Sequence, residues 1–276
     1  MKRPSTKSRV DHEKERRHRV NAGRHFLEDQ ILFFDKQFGD VSSSWKEDQS
    51  RVTFADFAIS ERVHAAVRKD FPGDVFCSEE SSIDGTPIPL ESDYAWVIDP
   101  IDGTNNYALG IPVCAISLAL LYRGVPVYGW VYDYPGRRLL HGGESLGIFI
   151  GNRRYKPVDE PFDQRSVVGL QFPLPAQVAS RVEPLLQKYR CRSLGSGTLI
   201  ATYAAFGFFS GSLDYRVKVW DFSAAYAIAA AAGLAFNFLG DSPFPLETFH
   251  PNLRSNPYYS GRPEFCNFIE SLNLPH

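Results

Sequence analysis

Hydrophobic positions along the 276-residue chain recur in two rhythms, one helical and one strand-like. From about Asp11 to Phe38 the spacing predicts a helix whose apolar side is Phe26, Ile31, Leu32 and Phe34. A second helix is predicted over "FAISERVHAAVRKDF", where Phe57, Ile59, Val63, Ala66 and Val67 recur until Pro72-Gly73 ends it. Between them, "GDVSSSWKEDQSRVTFAD" is polar and turn-rich and reads as a loop carrying Lys46 and Asp48. Strand patterns then take over. "DVFCSEE" is a short strand closing on two glutamates, and Ser81 to Asp93, with one glycine and two prolines, is a loop. "AWVIDP" is a continuous apolar run, the signature of a strand buried on both faces. "VCAISLALLYRG" and "VPVYGWVYDY" form a hairpin about Arg123-Gly124, and "RRLLHGGESLGIFIGNRRY" extends the meander.

The last third alternates again. "SVVGL" is a strand, "AQVASRVEPLLQKY" a helix, "CRSLGSG" a strand and turn, and "TLIATYAAFGFFSG" a helix. A strand at "LDYRV", a helix after Asp221 and a strand at "LAFNFL" follow. Alternating blocks without internal repeats predict a layered α/β architecture rather than a bundle or an all-β domain.

Composition narrows the function classes. At 43% hydrophobic the chain can bury a substantial core, as one large domain or two small ones. A net charge of -2 and a pI near 6.4 argue against a general nucleic-acid surface. The basic start, "MKRPSTKSRVDHEKERRHRV", is interrupted by Asp11, Glu13 and Glu15. It reads as a frayed terminus running into a solvated helix face, with a membrane or nucleic-acid tether as the alternative. Cys77, Cys114, Cys191 and Cys266 form no CxxC, which argues against a thiolate zinc site or disulfide scaffold and fits a reducing compartment. No secretory h-region follows the first basic residues, and Ala224 to Phe236 is too short an apolar run to span a bilayer. That run reads as a closely packed internal helix. A soluble, cytoplasmic protein is expected.

Acid is concentrated beside apolar sequence: Asp56 after "VTFA", Glu79-Glu80 after "VFCS", Asp99 and Asp102 flanking "PI", and Asp221 after "VKVW". Taken singly, Asp221 reads as a helix cap and the glutamates as a solvated strand end. Taken together, gathered carboxylates repel one another and raise their pKa values, a cost that a hard cation with oxygen ligands offsets. Mg2+ suits such a donor set, and the seven histidines lie outside these motifs. Asp99 and Asp102 cannot share one face of a straight strand. A turn at Pro100-Ile101 would bring them round together and present the Ile101 carbonyl beside them. Gly103 permits a tight turn with backbone N–H groups close to an anion, and Thr104 adds a hydroxyl. From the residues alone, a Mg2+-phosphoryl site and a set of unrelated caps both stand.

"WVIDPIDGTNNY" resembles the signature of the inositol monophosphatase family, the Mg2+-dependent, lithium-sensitive sugar and nucleotide phosphatases. "FCSEES" resembles its Gly-Glu-Glu-Ser metal motif, with serine where glycine is usual. "VKVWDFSAA" is similar to its second signature, "KEDQSRVTFAD" to its upstream element, and "RSLGSGTLI" to the segment that meets substrate. The motifs come in family order, and the likeness covers about Asn21 to Ile269. It implies a layered α-β-α-β-α sandwich. Residues 1–20 would be a basic extension continuing into the first helix, and 21–276 a single catalytic domain, with a metal-binding lobe and an α/β lobe meeting near 160–190.

The resemblance also implies roles. Glu79, Asp99 and the Ile101 carbonyl would hold one Mg2+, and Asp99, Asp102 and Asp221 a second. Asp56 with Glu79 and waters would shape a third, weaker one, giving about two to three ions. Thr104, paired with Asp56, would polarise the attacking water, so Thr104, Asp56 and Glu79 form the expected catalytic set. Backbone groups of Gly103 and Thr104 would hold phosphate, with Glu80 behind the metal ligands. The alcohol would meet Asp102, the Gly195-Ser196-Gly197 turn and Asp214, the last placed by counting back from Asp221. Hydrolysis would be direct, without a covalent enzyme intermediate. Departures bear on substrate: Leu234 replaces a usual glycine, Gly197 a usual alanine, and the segment before Trp220 is one residue short. An inositol-1-phosphate-type substrate is the first expectation, with histidinol-phosphate, other sugar-phosphate and 3′-phosphoadenosine-type substrates as alternatives. A silent regulatory or binding homologue is the different class, disfavoured because Asp99, Asp102, Thr104 and Asp221 are all present. Expected partners are a small phosphorylated metabolite and, by the resemblance, a second copy in a homodimer, with no nucleic-acid polymer and no membrane.

Overall fold

The computed structural model describes residues 6–45, 51–81, 86–158, 160–251 and 255–275. Helix α1 (Thr6–Gln37) begins before the expected Asp11 and runs through the basic stretch. That stretch is not simply frayed or solvated. The Arg19 guanidinium makes two 2.8 Å bonds to Asp74 and lies over the rings of Phe71 and Tyr94. The polar segment that follows is a loop only in part: β1 (Ser43–Trp45) and β2 (Arg51–Thr53) pair antiparallel within it. Lys46 and Asp48 lie outside the described residues.

Helix α2 (Phe54–Asp70) starts three residues ahead of its first expected residue, Phe57, because Thr53 caps it. The Thr53 hydroxyl accepts the Ala55 N–H at 3.1 Å, while its own N–H donates to Asp56 at 2.8 Å. Then come β3 (Val75–Ser78), β4 (Ile88–Pro89), β5 (Tyr94–Asp102), α3 (Thr104–Ala108), β6 (Ala115–Tyr122), β7 (Val125–Asp133), β8 (Arg138–Gly143), β9 (Gly147–Ile150) and β10 (Arg153–Tyr155). The seven-stranded sheet has the order β10-β9-β8-β7-β6-β5-β3 and is antiparallel except where β3 runs parallel to β5. The tip of β3 therefore lies beside the end of β5, and the two acidic termini meet.

The chain changes sheets between Tyr155 and β11 (Val167–Leu170). The helix expected from Ala176 to Tyr189 is broken into α4 (Ala176–Ala179) and α5 (Glu183–Lys188). Pro184 explains the break, since a residue without an N–H fits only the first turn of a helix. After these come β12 (Arg190–Arg192), α6 (Gly197–Ala205), β13 (Gly211–Asp214), α7 (Val219–Ala232), β14 (Ala235–Phe238), β15 (Thr248–Phe249), β16 (Tyr258–Gly261) and α8 (Pro263–Ser271). The five-stranded sheet has the order β12-β11-β13-β16-β14, and β15 pairs with β4.

Helices α1 and α2 pack on β5, β6 and β7, while α6 and α7 lie between the two sheets and α8 packs on β16. The layers are thus α-β-α-β-α. Alanines in α7 allow the close approach: a Cβ at Gly129 of β7 would overlap the Ala224 carbonyl. The aromatic stack of Trp96 on Trp130 fills the core beneath α1, where Phe26 packs against it. Burying that much apolar surface on both faces of β5 fixes its acidic end in place.

Candidate active site

Strand β5 delivers its aspartates through a bulge. Asp99 pairs with Ser117 but Asp102 with Ala115, so three residue steps on β5 match two on β6. The extra residue turns Asp99 and Asp102 toward one side, which their spacing in a regular strand would forbid. The Ile101 N–H donates to the Asp99 carboxylate at 3.1 Å and steadies the turn. Across the site, Asp221 sits in the first turn of α7, where its carboxylate accepts the Lys218 N–H at 2.6 Å. It completes a capping arrangement with one oxygen while keeping the other for the site, so the two sequence readings are compatible. Carboxylate oxygens of Asp99, Asp102 and Asp221 all lie within 4.8 Å of one another.

Burial raises the pKa of each of the three. Asp99 is pushed well above the usual carboxylate range by burial, then by Glu79, Asp102, Asp221 and Asp56. Asp221 is raised in the same way, by burial and then by Asp102. Asp102 rises to about 7 through burial, opposed by its hydrogen bonds from Ser196, Thr198 and Gly197. Those bonds tie it to the start of α6: the Ser196 hydroxyl and the N–H groups of Gly197 and Thr198 all donate to its carboxylate, the last two at 3.1 Å. Ser196 also caps α6, accepting the Leu199 N–H at 3.2 Å. The Thr198 hydroxyl donates to the Asp221 carbonyl at 2.8 Å, joining α6 to α7.

Asp56 is buried, and both the N–H and the hydroxyl of Thr53 donate to it, at 2.8 and 2.6 Å. Burial nevertheless lifts its pKa to about 7. The Thr104 hydroxyl lies 3.4 Å from Asp56 and 2.8 Å from the Ile101 carbonyl. Gly103, at φ +80°, opens α3, and a Cβ there would stand 3.0 Å from the Val113 carbonyl and 3.1 Å from that of Gly195. Glu79 lines the same cavity, its N–H donating to Ile98 at 3.3 Å. Glu80 is half-buried beside it and is not among the lining residues.

The cavity has a volume of about 620 Å³, and Glu79, Asp99, Asp102 and Asp221 line it. Gly195 lines it as well, and a Cβ at Gly197 would lie 2.9 Å from Val217, a local reason for the missing alanine. Asp214 is placed differently from the alcohol contact expected of it. Its side chain is wholly buried under α6 and does not line the cavity. Asp214 closes β13 directly opposite Tyr258, and its Oδ2 would stand 3.7 Å from a Cβ at Gly197, the first residue of α6.

Several lining residues escaped sequence reasoning. Asn106 donates to the carbonyls of Val113 and Leu194, at 2.8 and 2.9 Å, pinning the Gly195 turn to the motif loop. The Gln171 side-chain oxygen accepts from Gly195 N–H at 3.2 Å. Its position just after a parallel strand was a usable signal, because ligands gather at the carboxyl ends of such strands. Arg51, Arg216 and Lys218 also line the cavity. As a metal site the donor set fits: the floor presents hard carboxylate oxygens and a backbone carbonyl, with no histidine or cysteine among the described residues of the group.

Comparison with known proteins bears on the family and the fold. The inositol monophosphatase family pattern matches residues 26–255. A fructose-1,6-bisphosphatase/inositol-1-monophosphatase of Aquifex aeolicus is 27% identical over 220 residues, 76% of this chain and 81% of that protein. The Nus factor SuhB of Pasteurella multocida is 30% identical over 208 residues, 73% of this chain and 77% of its own. Among solved structures, an IMPase of Thermotoga maritima superposes with a TM-score of 0.79 at 22% identity, covering 92% of this chain and 96% of that one. An IMPase/NADP phosphatase complexed with Mg2+ and phosphate gives 0.71 at 21%, covering 97% and 96%. These two show the shared fold. With the family pattern spanning both acidic motifs and the layers matching from end to end, the chain belongs to the inositol monophosphatase family.

Proposed function

We propose that the chain is a Mg2+-dependent hydrolase of small phosphate monoesters, with inositol 1-phosphate and similar polyol phosphates as its substrate class. The observation that carries this reading is the convergence of Asp99, Asp102 and Asp221 within 4.8 Å, beside the Thr104–Asp56 pair. The Aquifex relative's name and the solved neighbour holding Mg2+ and phosphate support it. Asp99, Asp102, Asp221, Glu79 and the Ile101 carbonyl would hold the metal. When bound, Mg2+ lowers the pKa of water and neutralises charge developing on the phosphoryl and departing oxygens.

This chain's own residues do the rest. Thr104 has one hydroxyl proton. Donated to Asp56, it leaves a hydroxyl lone pair to accept a hydrogen bond from the attacking water, so that the water proton would pass to Thr104 as the Thr104 proton passes to the Asp56 carboxylate; donated to Ile101, it leaves Asp56 without that contact. Thr53 holds Asp56 in position for the first arrangement. The N–H groups of Gly103 and Thr104 take phosphate oxygens at the start of α3. Asp102 already accepts three hydrogen bonds, and a carboxylate offers about four positions, so one remains for an ion while α6 stays fixed. Lithium inhibition and a homodimer belong to the same reading and rest on the family resemblance, and a cytoplasmic location rests on the scattered cysteines and the sequence after the first basic residues. No helix among the described residues is long and apolar enough to cross a membrane. Because one relative bears the name Nus factor, an absence of nucleic-acid partners is not part of the reading.

The test is hydrolysis of a panel of phosphate monoesters, inositol 1-phosphate included, with Mg2+ and with excess EDTA. Mg2+-dependent turnover is expected. Equal turnover in EDTA, or none on any member, overturns the reading.

A further inference from the structure

Strands β13 and β16 carry a group of buried oxygens that the chemistry of the cavity does not use. Gly211 sets the orientation of β13. A Cβ there would overlap Phe265 of α8, so the alternate residues Ser212 and Asp214 point to the other face, toward α6. Tyr258 of β16 pairs directly with Asp214 and shares that face. All three side chains are completely buried. Asp214 Oδ1 accepts the Arg216 N–H at 2.8 Å, whereas Asp214 Oδ2 and the hydroxyls of Tyr258 and Ser212 have no hydrogen-bond partner among the described residues. The three oxygens are nevertheless neighbours. After burial, the Asp214 carboxylate is the largest influence raising the pKa of the Tyr258 phenol, and the Ser212 hydroxyl stands near enough to lower it without closing a direct bond. The surroundings are apolar: the Phe222 and Phe236 rings lie 6.0 and 4.3 Å from that of Tyr258.

Buried polar atoms left without partners in an apolar layer are costly, and three side by side call for a common partner. The chemistry of the set says which. Each hydroxyl has a proton to give, and Asp214 Oδ2 has lone pairs to offer. We propose that Ser212, Asp214 and Tyr258 hold one internal water molecule behind the first turn of α6. The water donates to Asp214 Oδ2 and accepts from Tyr258 and Ser212, about three bonds being usual for an internal water. A metal cation fits the same oxygens less well, because it would occupy lone pairs and leave both hydroxyl protons unpaired. Gly197 borders the site, since a Cβ there would stand 3.7 Å from Asp214 Oδ2, and its N–H donates to Asp102 at 3.1 Å. The water therefore stands behind the residue through which α6 clamps Asp102. It belongs to the packing that fixes that turn, whatever reaction the cavity performs.

The test is a high-resolution crystal structure of the full chain in EDTA, together with oxygen-17 magnetic relaxation of water, which counts long-lived internal waters in solution. Density for a water is expected within about 2.6–3.2 Å of Asp214 Oδ2, Tyr258 Oη and Ser212 Oγ. S212V removes one partner and fills its space with apolar atoms, so it should abolish that density and lower the solution count by about one. Y258F should lower the count likewise, and it carries the test where S212V does not fold. S260A is the control. The Ser260 hydroxyl belongs to the same strand pair but already donates to the Ala235 carbonyl at 2.8 Å, so its loss should leave the count in place. Direct bonds among the three oxygens with no density between them overturn the site. So does an unchanged count in both S212V and Y258F, or an equal fall in S260A. An anomalous peak at that position after exchange into rubidium chloride makes the occupant a cation and overturns the water.

Discussion

Asp102, the last residue of β5, accepts the Gly197 N–H at 3.1 Å, and through that bond the seven-stranded sheet grips the first turn of α6. Ser196 and Thr198 donate to the same carboxylate. An amide at this position would turn its NH2 toward at least one buried donor. Asp102→Asn should therefore destabilise the metal-free protein by about 1–3 kcal/mol, the cost of leaving such a group unsatisfied. Urea unfolding in EDTA measures it, and an unchanged midpoint would deny the clamp.

Asp99 should behave oppositely. Among the described residues its backbone donor is the Ile101 N–H at 3.1 Å, and the largest charges acting on it are the carboxylates of Glu79, Asp102, Asp221 and Asp56. Asp99→Asn relieves that repulsion, so the urea midpoint in EDTA should hold or rise. Turnover in Mg2+ should fall about 100-fold or more, as when a preorganised electrostatic contact is lost. Near-normal kcat/KM would exclude Asp99 from the metal site, and a large loss of metal-free stability would make its role structural.

The pH dependence has a definite sign. Asp56 and Asp102 titrate near 7 in the folded chain, against an ordinary 3.8. Between those values the folded state binds more protons than the unfolded one, so stability falls as pH rises through that window. Asp99 and Asp221 act in the same direction. In EDTA, Tm should be higher at about pH 5.5 than at about pH 7.5. Saturating Mg2+, which favours the ionised carboxylates, should shrink or reverse the difference. A Tm in EDTA that climbs over this range would contradict the assignment.

The acidic cluster was legible because each carboxylate adjoins a locally readable element: the end of the apolar run of β5, the end of the short β3, and the start of the small-residue helix α7. The odd spacing between Asp99 and Asp102 predicted a turn at Pro100-Ile101; the strand instead runs on to Asp102 and brings both round through a bulge. The cationic lining was not legible. Arg51 belongs to a three-residue strand too short to show alternation, and Arg216 stands between elements, so only tertiary folding brings them to one cavity. Strand β16 was missed for a similar reason. "YYSG" carries no strand period of its own and is a strand because β13 and β14 both pair with it. Pro184, by contrast, was a readable break in the α4–α5 segment, overridden by the apolar spacing around it.

Gly103 tests the loop. Its φ of +80° suits glycine, and a Cβ would stand 3.0 and 3.1 Å from the Val113 and Gly195 carbonyls, which would have to give way. Gly103→Ala should cost about 1–3 kcal/mol of stability through backbone strain and crowding. It should also raise KM for the phosphate by displacing the N–H groups at the start of α3. A variant with unaltered urea midpoint and KM would show that the loop relaxes freely.

Asp214 separates a buried role from a substrate contact. Its Oδ1 accepts the Arg216 N–H at 2.8 Å, while Oδ2 is buried without a partner, as are the hydroxyls of Tyr258 directly opposite and Ser212 two residues back. Burial pushes its carboxyl up to about 7. In Asp214→Asn the amide supplies donors toward those hydroxyls and removes a costly buried charge, so stability above pH 7 should hold or increase. Because the side chain does not reach the cavity, the preference for inositol 1-phosphate over a simple alkyl phosphate should change by no more than about twofold. A residue bonded to a substrate hydroxyl would behave differently: its loss leaves partners unpaired and erodes such a preference about tenfold or more. Paired measurement of that ratio and of the urea midpoint at about pH 8 distinguishes the two. A tenfold loss of preference with stability intact would put Asp214 at the alcohol after all.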